Sequence, residues 1–184
     1  MSTDPQPFVF DAGPLSHFSQ AGWLGLLREA VDGAEAWIPS AVLLEISDGV
    51  NTHAHLRSVL DAGWLTVRAA TTTPEIAALG KYTARMLGDD QRENLGECEV
   101  LALAEVSGGI AVIDDGVARG VAAEFNVEHK TTVALLCDLV RARHLSLDMA
   151  SAIADRLLQT AYRLPFEEGG FRRFVLENDY LPYD

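Results

Sequence analysis

Five acidic residues stand next to predicted strands or in predicted helices, where folding could bring them together. They are Asp11, Glu45, Glu97, Asp114 and Asp115. The clearest signal is the pair Asp114-Asp115 in AVIDDGVARG, which follows a short apolar run and precedes a predicted helix. Two adjacent carboxylates at the edge of a core are unfavourable in a chain whose net charge is already −13. The pair therefore predicts a function that needs negative charge at this place.

Carboxylates that converge repel one another, raise one another's pKa values and lower stability unless a cation neutralises them. Oxygen ligands without His or Cys at metal-binding spacing favour Mg²⁺ or Mn²⁺ over Zn²⁺. A site of this kind activates a water and stabilises the charge that develops on a phosphoryl group, with one ion or with two. The acids therefore predict hydrolysis of a phosphodiester bond.

Each acid also has a structural interpretation that needs no metal. Asp11 suits a turn or a helix cap before AGPL, and Asp115 suits the N-cap of the following helix. Glu45 suits a solvated helix face, and Glu97 in a first helical turn stabilises the helix dipole. Glu99 is expected to face outward or to support a neighbouring ligand. We favour the metal site because separate caps explain the joint pattern less well.

Short apolar runs alternate with amphipathic segments along the chain, and this order predicts strands separated by helices. Strands are expected at 7–11, 36–38, 63–70 and 110–114, with a short strand or loop at 126–131. Pro39 and Ser40 signal the start of a helix, and a polar loop is expected at 88–96. The segment 97–106 is apolar nearly all round, as in a helix packed against a sheet. Strands joined by helices pair in parallel, so we predict a three-layer α/β domain.

The expected topology explains how distant acids could meet. In an open parallel sheet, ligands gather at the carboxyl ends of the strands. Asp11 and Asp114 each end a predicted strand, so both are expected at that edge. Glu45 lies about two turns into the helix after the second strand, and Glu97 opens the helix before the strand at 110–114. The four segments are therefore predicted to converge on one acidic pocket.

The composition limits the classes of protein that this chain can represent. A length of 184 residues with 48% hydrophobic residues predicts one compact domain. No apolar run is long enough for a membrane span and no signal sequence is recognisable, so a cytoplasmic protein without membrane contact is expected. Cys98 and Cys137 are expected to be buried free thiols. With 14 Lys and Arg against 27 Asp and Glu, a nucleic-acid partner requires a local basic rim or bound metal.

Several basic and polar residues are candidates for smaller roles. Ser16 and His17 follow Asp11 closely, and a local turn contact is the favoured interpretation for them. Thr132 is interpreted as a helix N-cap before VALLCDL. Arg119 either contacts a phosphate or forms a surface ion pair.

A basic rim for nucleic acid has three candidate residues. They are Lys81, Arg85 and Arg92. The same spacing also suits an ordinary solvated helix face followed by a loop, and this second interpretation is preferred.

Four pieces of the chain, in order, resemble the PIN-domain family of metal-dependent ribonucleases. They are FVFDAGPLSHF, IPSAVLLEI, NLGECEVLALA and AVIDDGVAR, and the resemblance covers about residues 7–145. The glycine–acid pair Gly96-Glu97 at the central helix is similar to the branch of toxin-type nucleases, as is the double aspartate before Ala118-Arg119.

The amphipathic segments beyond residue 145 predict a C-terminal helical extension over 146–184 packed on the same domain. The resemblance implies a PIN-like α/β/α domain over residues 1–145, with four or five parallel strands. It implies Mg²⁺ or Mn²⁺ in the acidic pocket and hydrolytic cleavage of RNA. Many members are toxins of toxin–antitoxin pairs, so a small antitoxin protein and a homodimer are implied as partners. The stretches at 70–93 and beyond 145 depart from the family pattern.

By position, Asp11, Glu45, Glu97 and Asp114 match the family's acidic quartet, and Asp115 competes with Asp114 for the fourth place. The resemblance implies that Asp11 and Glu97 hold the principal ion. Asp114 or Asp115 then completes its shell or binds a second ion, and Glu45 binds through water or orients the nucleophile. Two alternatives are a non-catalytic PIN-like binding protein and a phosphoacceptor signalling domain, although in the latter the acidic pair would come early in the chain.

Overall fold

Strands and helices alternate along the computed structural model, which describes residues 5–86 and 94–182. The first half contains β1 (Phe8–Phe10), α1 (Ala12–Gln20), α2 (Leu24–Ala30), β2 (Ala36–Pro39), α3 (Ser40–Gly49), a 3-10 turn (Ala54–Leu56), α4 (Arg57–Leu60), β3 (Leu65–Arg68) and α5 (Thr73–Met86). The second half contains α6 (Leu95–Ser107), β4 (Ile110–Val112), α7 (Gly116–Glu124), β5 (His129–Lys130), α8 (Thr132–Arg141), α9 (Leu147–Leu158) and α10 (Phe171–Glu177). Most of the loop predicted at 88–96 lies outside the described residues.

The five strands form one sheet in the order β3-β2-β1-β4-β5, and every neighbouring pair is parallel. The three central strands have the sequences FVF, AWIP and IAV and are buried along their whole length. Continuous apolar runs are typical of strands that are covered on both faces. The predicted α/β domain with four or five parallel strands is therefore confirmed. The segment 126–131, left open between strand and loop, contributes the edge strand β5.

The chain leaves the centre of the sheet in two opposite directions. From β1 it moves outward through β2 to β3, then returns to β4 on the other side of β1 and continues to β5. Because crossovers between parallel strands are right-handed, connections in the two directions lie on opposite faces of the sheet. The strand order reverses between β1 and β4, and open α/β sheets form their ligand crevice beyond the carboxyl ends of such strands.

The central helix of the fold is α6. Its residues from Cys98 to Ala104 are all buried, and the helix contacts β1, β2 and β4. The prediction that this apolar segment packs against the sheet is confirmed. Because α6 leads into the amino end of β4, its own N-terminus lies toward the carboxyl edge of the sheet, which brings Glu97 to that edge. Cys98 in this helix and Cys137 in α8 are buried free thiols, as predicted.

The helices beyond residue 145 share the hydrophobic core of the sheet domain. Ile153 and Leu157 of α9 and Phe171 and Val175 of α10 are buried within it, and α9 contacts α8. Within the described residues, no helix is both long and apolar enough to cross a membrane. The segment between α9 and α10 passes the carboxyl edge of the sheet, where Tyr162 reaches Asp114.

Gly109 allows β4 to approach β1 closely at the centre of the sheet. A Cβ on this residue would lie 2.6 Å from the backbone oxygen of Pro7, which accepts the hydrogen bond from the Ile110 amide. We expect Gly109→Ala to lower the free energy of unfolding by about 1–3 kcal/mol, because the backbone must shift where the two strands meet. The matched change Gly80→Ala in α5, where nothing lies within 4 Å, should raise it by up to about 1 kcal/mol. Urea denaturation measures both, and equal stabilities would contradict this account.

Candidate active site

The carboxyl ends of β1 and β4 carry Asp11 and Asp114, which line a common cavity of about 470 Å³. Asp115, His17 and Tyr162 line the same cavity. Asp115 follows Asp114 at the start of α7, His17 belongs to α1, and Tyr162 lies in the segment after α9. The strand ends that the topology predicts to meet therefore do meet at one crevice.

Asp11 is the most buried acid of the group, with 8% of its surface exposed. Burial raises the pKa of its carboxyl to about 8, and the negative charges of Glu97 and Glu45 contribute to the rise, while the amides of Ala12 and Gly13 oppose it. Asp11 occupies the N-cap position of α1, yet its side chain makes no capping hydrogen bond. The amides at the start of α1 therefore offset only part of the cost of burying this carboxyl.

Close packing of α3 on α6 brings Glu45 near Asp11. The contact lies at Gly96, where a Cβ would be 3.2 Å from Cγ2 of Val42 and 3.5 Å from Oε2 of Glu45. The same point lies 3.8 Å from Oδ1 of Asp11. A side chain at position 96 would push against α3 and intrude between the two acids. This is the physical reason for the glycine that precedes Glu97.

The pKa values of Glu45 and Glu97 are also raised by burial and by neighbouring negative charge. Loss of hydration raises the pKa of Glu45, and the charge on Glu97 adds to the rise. The pKa of Glu97 is itself raised by loss of hydration and by the charge on Asp115. Glu97 is half-buried, whereas Glu45 and Asp115 are exposed. Asp11, Glu45, Glu97 and Asp115 therefore form a continuous set of carboxylates that repel one another.

Asp114 is held in place by two buried residues from later in the chain. Thr132 donates its amide to Oδ1 at 3.0 Å and its hydroxyl to Oδ2 at 2.7 Å, and the Tyr162 hydroxyl donates to the same Oδ2. Burial and the charge on Asp114 raise the pKa of Tyr162 well above its usual value, so the phenol keeps its proton. The N-cap of α8 is Thr131, which accepts from the Ala134 amide, so the interpretation of Thr132 as the cap is wrong.

Asp115 caps α7, as its sequence position allows. Its Oδ1 accepts hydrogen bonds from the amides of Val117 at 2.8 Å and Ala118 at 2.9 Å. Both bonds use one oxygen, so the cap leaves the other oxygen available to a ligand. In Asp114, by contrast, both oxygens already accept hydrogen bonds.

Ser16 and His17 contact distant residues rather than their own turn, so the local interpretation is wrong for both. Nδ1 of His17 lies 2.7 Å from the Thr160 hydroxyl, and its ring stacks on Tyr162 with 4.0 Å between centroids. The Ser16 hydroxyl lies 3.4 Å from Nε2 of His55. Burial and the nearby His55 lower the pKa of His17, so its imidazole is neutral at pH 7.

Glu99 is buried, so the expectation that it faces outward is wrong. Its carboxylate accepts hydrogen bonds from the Ser40 hydroxyl, from the Ala41 amide at 2.7 Å and from the Ala70 amide at 3.0 Å. These bonds fasten the start of α3 and the segment after β3 to α6. Glu99 thereby positions Glu45, which is the supporting role that the sequence left open.

The donor set fits a hard divalent cation. Within residues 5–86 and 94–182, none of the five acids forms an ion pair. In this part of the chain no three His, Cys, Asp or Glu side chains are already arranged around a metal position. All the donors are carboxylate oxygens, the preferred ligands of Mg²⁺, and their mutual repulsion is what a bound cation would relieve.

The two described residues of the predicted basic rim form ion pairs with acids of the same chain. Lys81 pairs with Glu105 at 2.5 Å, and Arg85 pairs with Glu124 at 3.0 Å. Arg92 lies outside the described residues. The preferred interpretation of Lys81 and Arg85 as an ordinary surface is therefore the better one.

A comparison with protein families agrees with the geometry of this edge. A family model described as a PIN domain matches residues 7–168. The chain belongs to the PIN-domain family. Membership indicates a nuclease-type function, and PIN domains typically use divalent metal ions. The matched region of this PIN domain runs past residue 145 and includes α9 and Tyr162. A search of the curated proteins finds no match.

No feature of the sequence predicts the hydrogen bonds that hold Asp114. Tyr162 lies 48 positions from Asp114, and no periodicity or motif links the two. For Glu99 a signal did exist, because an acid within a nearly all-apolar helix is expected to be buried and hydrogen-bonded. Its partners, however, come from the start of α3 and from the segment after β3, and only the fold reveals them.

The raised pKa of Asp11 predicts how the metal-free PIN domain responds to pH. The carboxyl has a pKa of about 8 in the folded protein against an ordinary value of 3.8, so its contribution to stability is full at low pH and is lost as the pH rises through 8. In EDTA at pH 9, we expect Asp11→Asn to raise Tm by several degrees, at about 2–4 °C per kcal/mol for a chain of this size. At pH 5 the increase should be much smaller. The exposed Asp61→Asn is the control, and equal shifts at both pH values would contradict the account.

Proposed function

We propose that this PIN-domain protein hydrolyses RNA phosphodiester bonds at the acidic edge, with Mg²⁺ or Mn²⁺ as its cofactor. The observation that carries the proposal is the approach of the carboxylates of Asp11, Glu45 and Glu97 to one another around Gly96 at the strand switch point, where burial and neighbouring negative charge raise the pKa of each. Groups with perturbed pKa values in a cleft are typical of functional sites. Carboxylates without a described cationic partner are also the ligands that a phosphoryl-transfer metal site requires.

The burial of each acid and its free carboxylate oxygens indicate which role it would have in the site. Asp11 and Glu97 would hold the principal ion, which when bound supplies an activated water and stabilises charge on the phosphoryl group. Asp114 or Asp115 would complete the site. Asp115 is favoured, since its cap uses only one carboxylate oxygen.

Glu45 is suited to handling the proton of the attacking water. It is exposed, and its raised pKa brings it closer to neutral pH, where a general base is most effective. Asp114, fixed by Thr132 and Tyr162, keeps the opposite wall of the cavity rigid. The wall holds its shape because these donors are buried.

The proposal is tested by Mn²⁺-dependent cleavage of a mixed RNA pool. We expect Asp11→Asn and Glu97→Gln each to reduce the cleavage rate by more than about 100-fold, since loss of supporting contacts alone typically costs 10- to 100-fold. Both variants should remain folded, as measured by circular dichroism. EDTA should abolish the activity of the unmodified protein, and added Mn²⁺ should restore it.

Glu29→Gln is the matched control, because Glu29 is exposed in α2 and lines cavities away from the acidic edge. Its cleavage rate should equal that of the unmodified protein. Unchanged turnover in either acid variant would count decisively against the site. Saturable Mn²⁺ binding without RNA cleavage would instead support the non-catalytic alternative.

Several implications of the family resemblance stay predictions. They are the toxin role in a toxin–antitoxin pair, the small antitoxin partner and the homodimer. The cytoplasmic location, which is expected from the composition and the missing signal sequence, also stays a prediction.

A further inference from the structure

A second cavity adjoins the acidic edge, beside α7 and the C-terminal segment. Its volume is about 280 Å³, and its walls include Arg119, Arg163, Phe174 and Tyr180. Asp114 and Arg163 line both this cavity and the acidic one, so the two are adjacent and share part of their walls. The volume lies just below the roughly 300–1,000 Å³ of most small-molecule sites, which suits one nucleotide rather than a longer segment.

The two arginines of this cavity are exposed, and within the described residues their guanidinium groups make no ion pair or hydrogen bond. A Cβ on Gly116 would lie 4.0 Å from Nη2 of Arg119, so this guanidinium lies near the start of α7, next to Asp115. Seven other cations of the described residues form ion pairs with acids. They are Arg68, Lys81, Arg85, Lys130, Arg141, Arg172 and Arg173. Arg28, Arg57, Arg143 and Arg156 form no ion pair among these residues, but they do not line this cavity. Unpaired positive charge therefore stands directly beside the acidic cavity.

Phe174 and Tyr180 provide an aromatic wall. Their ring centroids are 6.0 Å apart, and Phe174 also packs on Phe166 at 5.3 Å. The backbone oxygen of Tyr180 accepts a hydrogen bond from Arg141. Both rings are half-buried, so each keeps an accessible part while packing fixes its position. Rings held in this way are suitable surfaces for stacking a base.

We infer that this cavity, named the Arg163 subsite for Arg119, Arg163, Phe174 and Tyr180, binds one nucleotide of single-stranded RNA next to the bond that is cut. The guanidinium groups bind its phosphate, and its base stacks on the aromatic wall. The inference rests on the proposed nuclease function, because the adjoining acidic cavity defines where cleavage takes place. It also explains how a chain of net charge −13 holds a polyanion, since counterions are released only where cations meet phosphates.

The test measures binding of a fluorescein-labelled, mixed-sequence RNA octamer by fluorescence anisotropy. The protein is the full chain carrying Asp11→Asn, in Mg²⁺, so that the RNA stays intact. Arg163→Ala and Arg119→Ala should each weaken binding by roughly tenfold, as expected for loss of a charged hydrogen bond. Each should also reduce the slope of log affinity against log salt by about 0.7, the value for one phosphate contact on a single strand.

Stacking predicts a different signature at Tyr180. Tyr180→Leu should weaken binding by a factor of about five or more without changing the salt slope, because a stacked base releases no counterion. Tyr180→Phe keeps the ring and should bind as the parent does. Thermal unfolding of each variant separates loss of the stack from loss of the fold.

Arg28→Ala is the matched control for the arginine variants. Arg28 is exposed in α2 and lines a cavity with Ala36 and Trp64, at the amino ends of β2 and β3. This is the edge of the sheet opposite the subsite. Affinity and salt slope should therefore be unchanged.

Three outcomes separate the subsite from the nuclease function. Unchanged affinity and slope in both arginine variants would overturn the subsite and leave the cleavage result standing. Arginine-dependent binding without Mn²⁺-dependent cleavage by the unmodified protein would support the subsite and contradict the nuclease function. An octamer of glutamate that binds as tightly as RNA, with the same dependence on Arg163, would overturn the nucleotide assignment in favour of an acidic peptide.

Discussion

Repulsion among the carboxylates of Asp11, Glu45, Glu97 and Asp115 at the carboxyl edge of the sheet is the constraint on which the site depends. A parallel sheet ends its strands at one edge, and the reversal of strand order opens a crevice there. Asp11 occupies this crevice with 8% of its surface exposed, which raises its pKa to about 8. The arrangement lowers the stability of the ion-free protein at high pH. It is tolerated because the core beneath it is extensive, and a divalent cation would relieve it.

The acids keep their positions through bonds from distant parts of the chain. Glu99 ties the start of α3 to α6, and so holds the helix that carries Glu45. Thr132 and Tyr162 hold Asp114 from α8 and from the segment after α9. Buried hydrogen bonds to carboxylates are strong and directional, so these groups retain their geometry despite their mutual repulsion. The C-terminal segment is therefore part of the site's framework as well as of the core.

The sequence predicts what depends on local pattern and on topology. The strands at β1, β2 and β4 were predictable because burial on both faces demands continuous apolar runs. The meeting of Asp11 and Asp114 was predictable because parallel strands end at one edge. β5 stayed undecided, since two residues, His129 and Lys130, carry too little periodicity to separate a strand from a loop.

Hydrogen-bond and ion-pair partners in distant elements could not be predicted from local pattern. The spacing of Lys81 and Arg85 describes an exposed helix face but says nothing of Glu105 and Glu124, with which they pair. The same limit applies to Tyr162, whose role follows from a bond to Asp114 across 48 positions. The wrong predictions therefore concern side chains whose hydrogen-bond partners lie in another element rather than in their own turn.

The distribution of charge would make the proposed binding of a cation and the proposed binding of RNA depend on one another. Without a cation, the carboxylates of Asp11 and Glu97 repel the phosphate that Arg163 would hold next to them, and with a cation that repulsion is removed. Because linkage between two ligands is reciprocal, RNA in the Arg163 subsite must raise the affinity of the acids for the cation by the same factor. The many acids of this chain disfavour non-specific binding to nucleic acid, and the proposed Arg163 subsite would supply the local positive charge that a phosphate needs. The acidity of the chain as a whole is therefore compatible with an RNA substrate and restricts where on the molecule that substrate can bind.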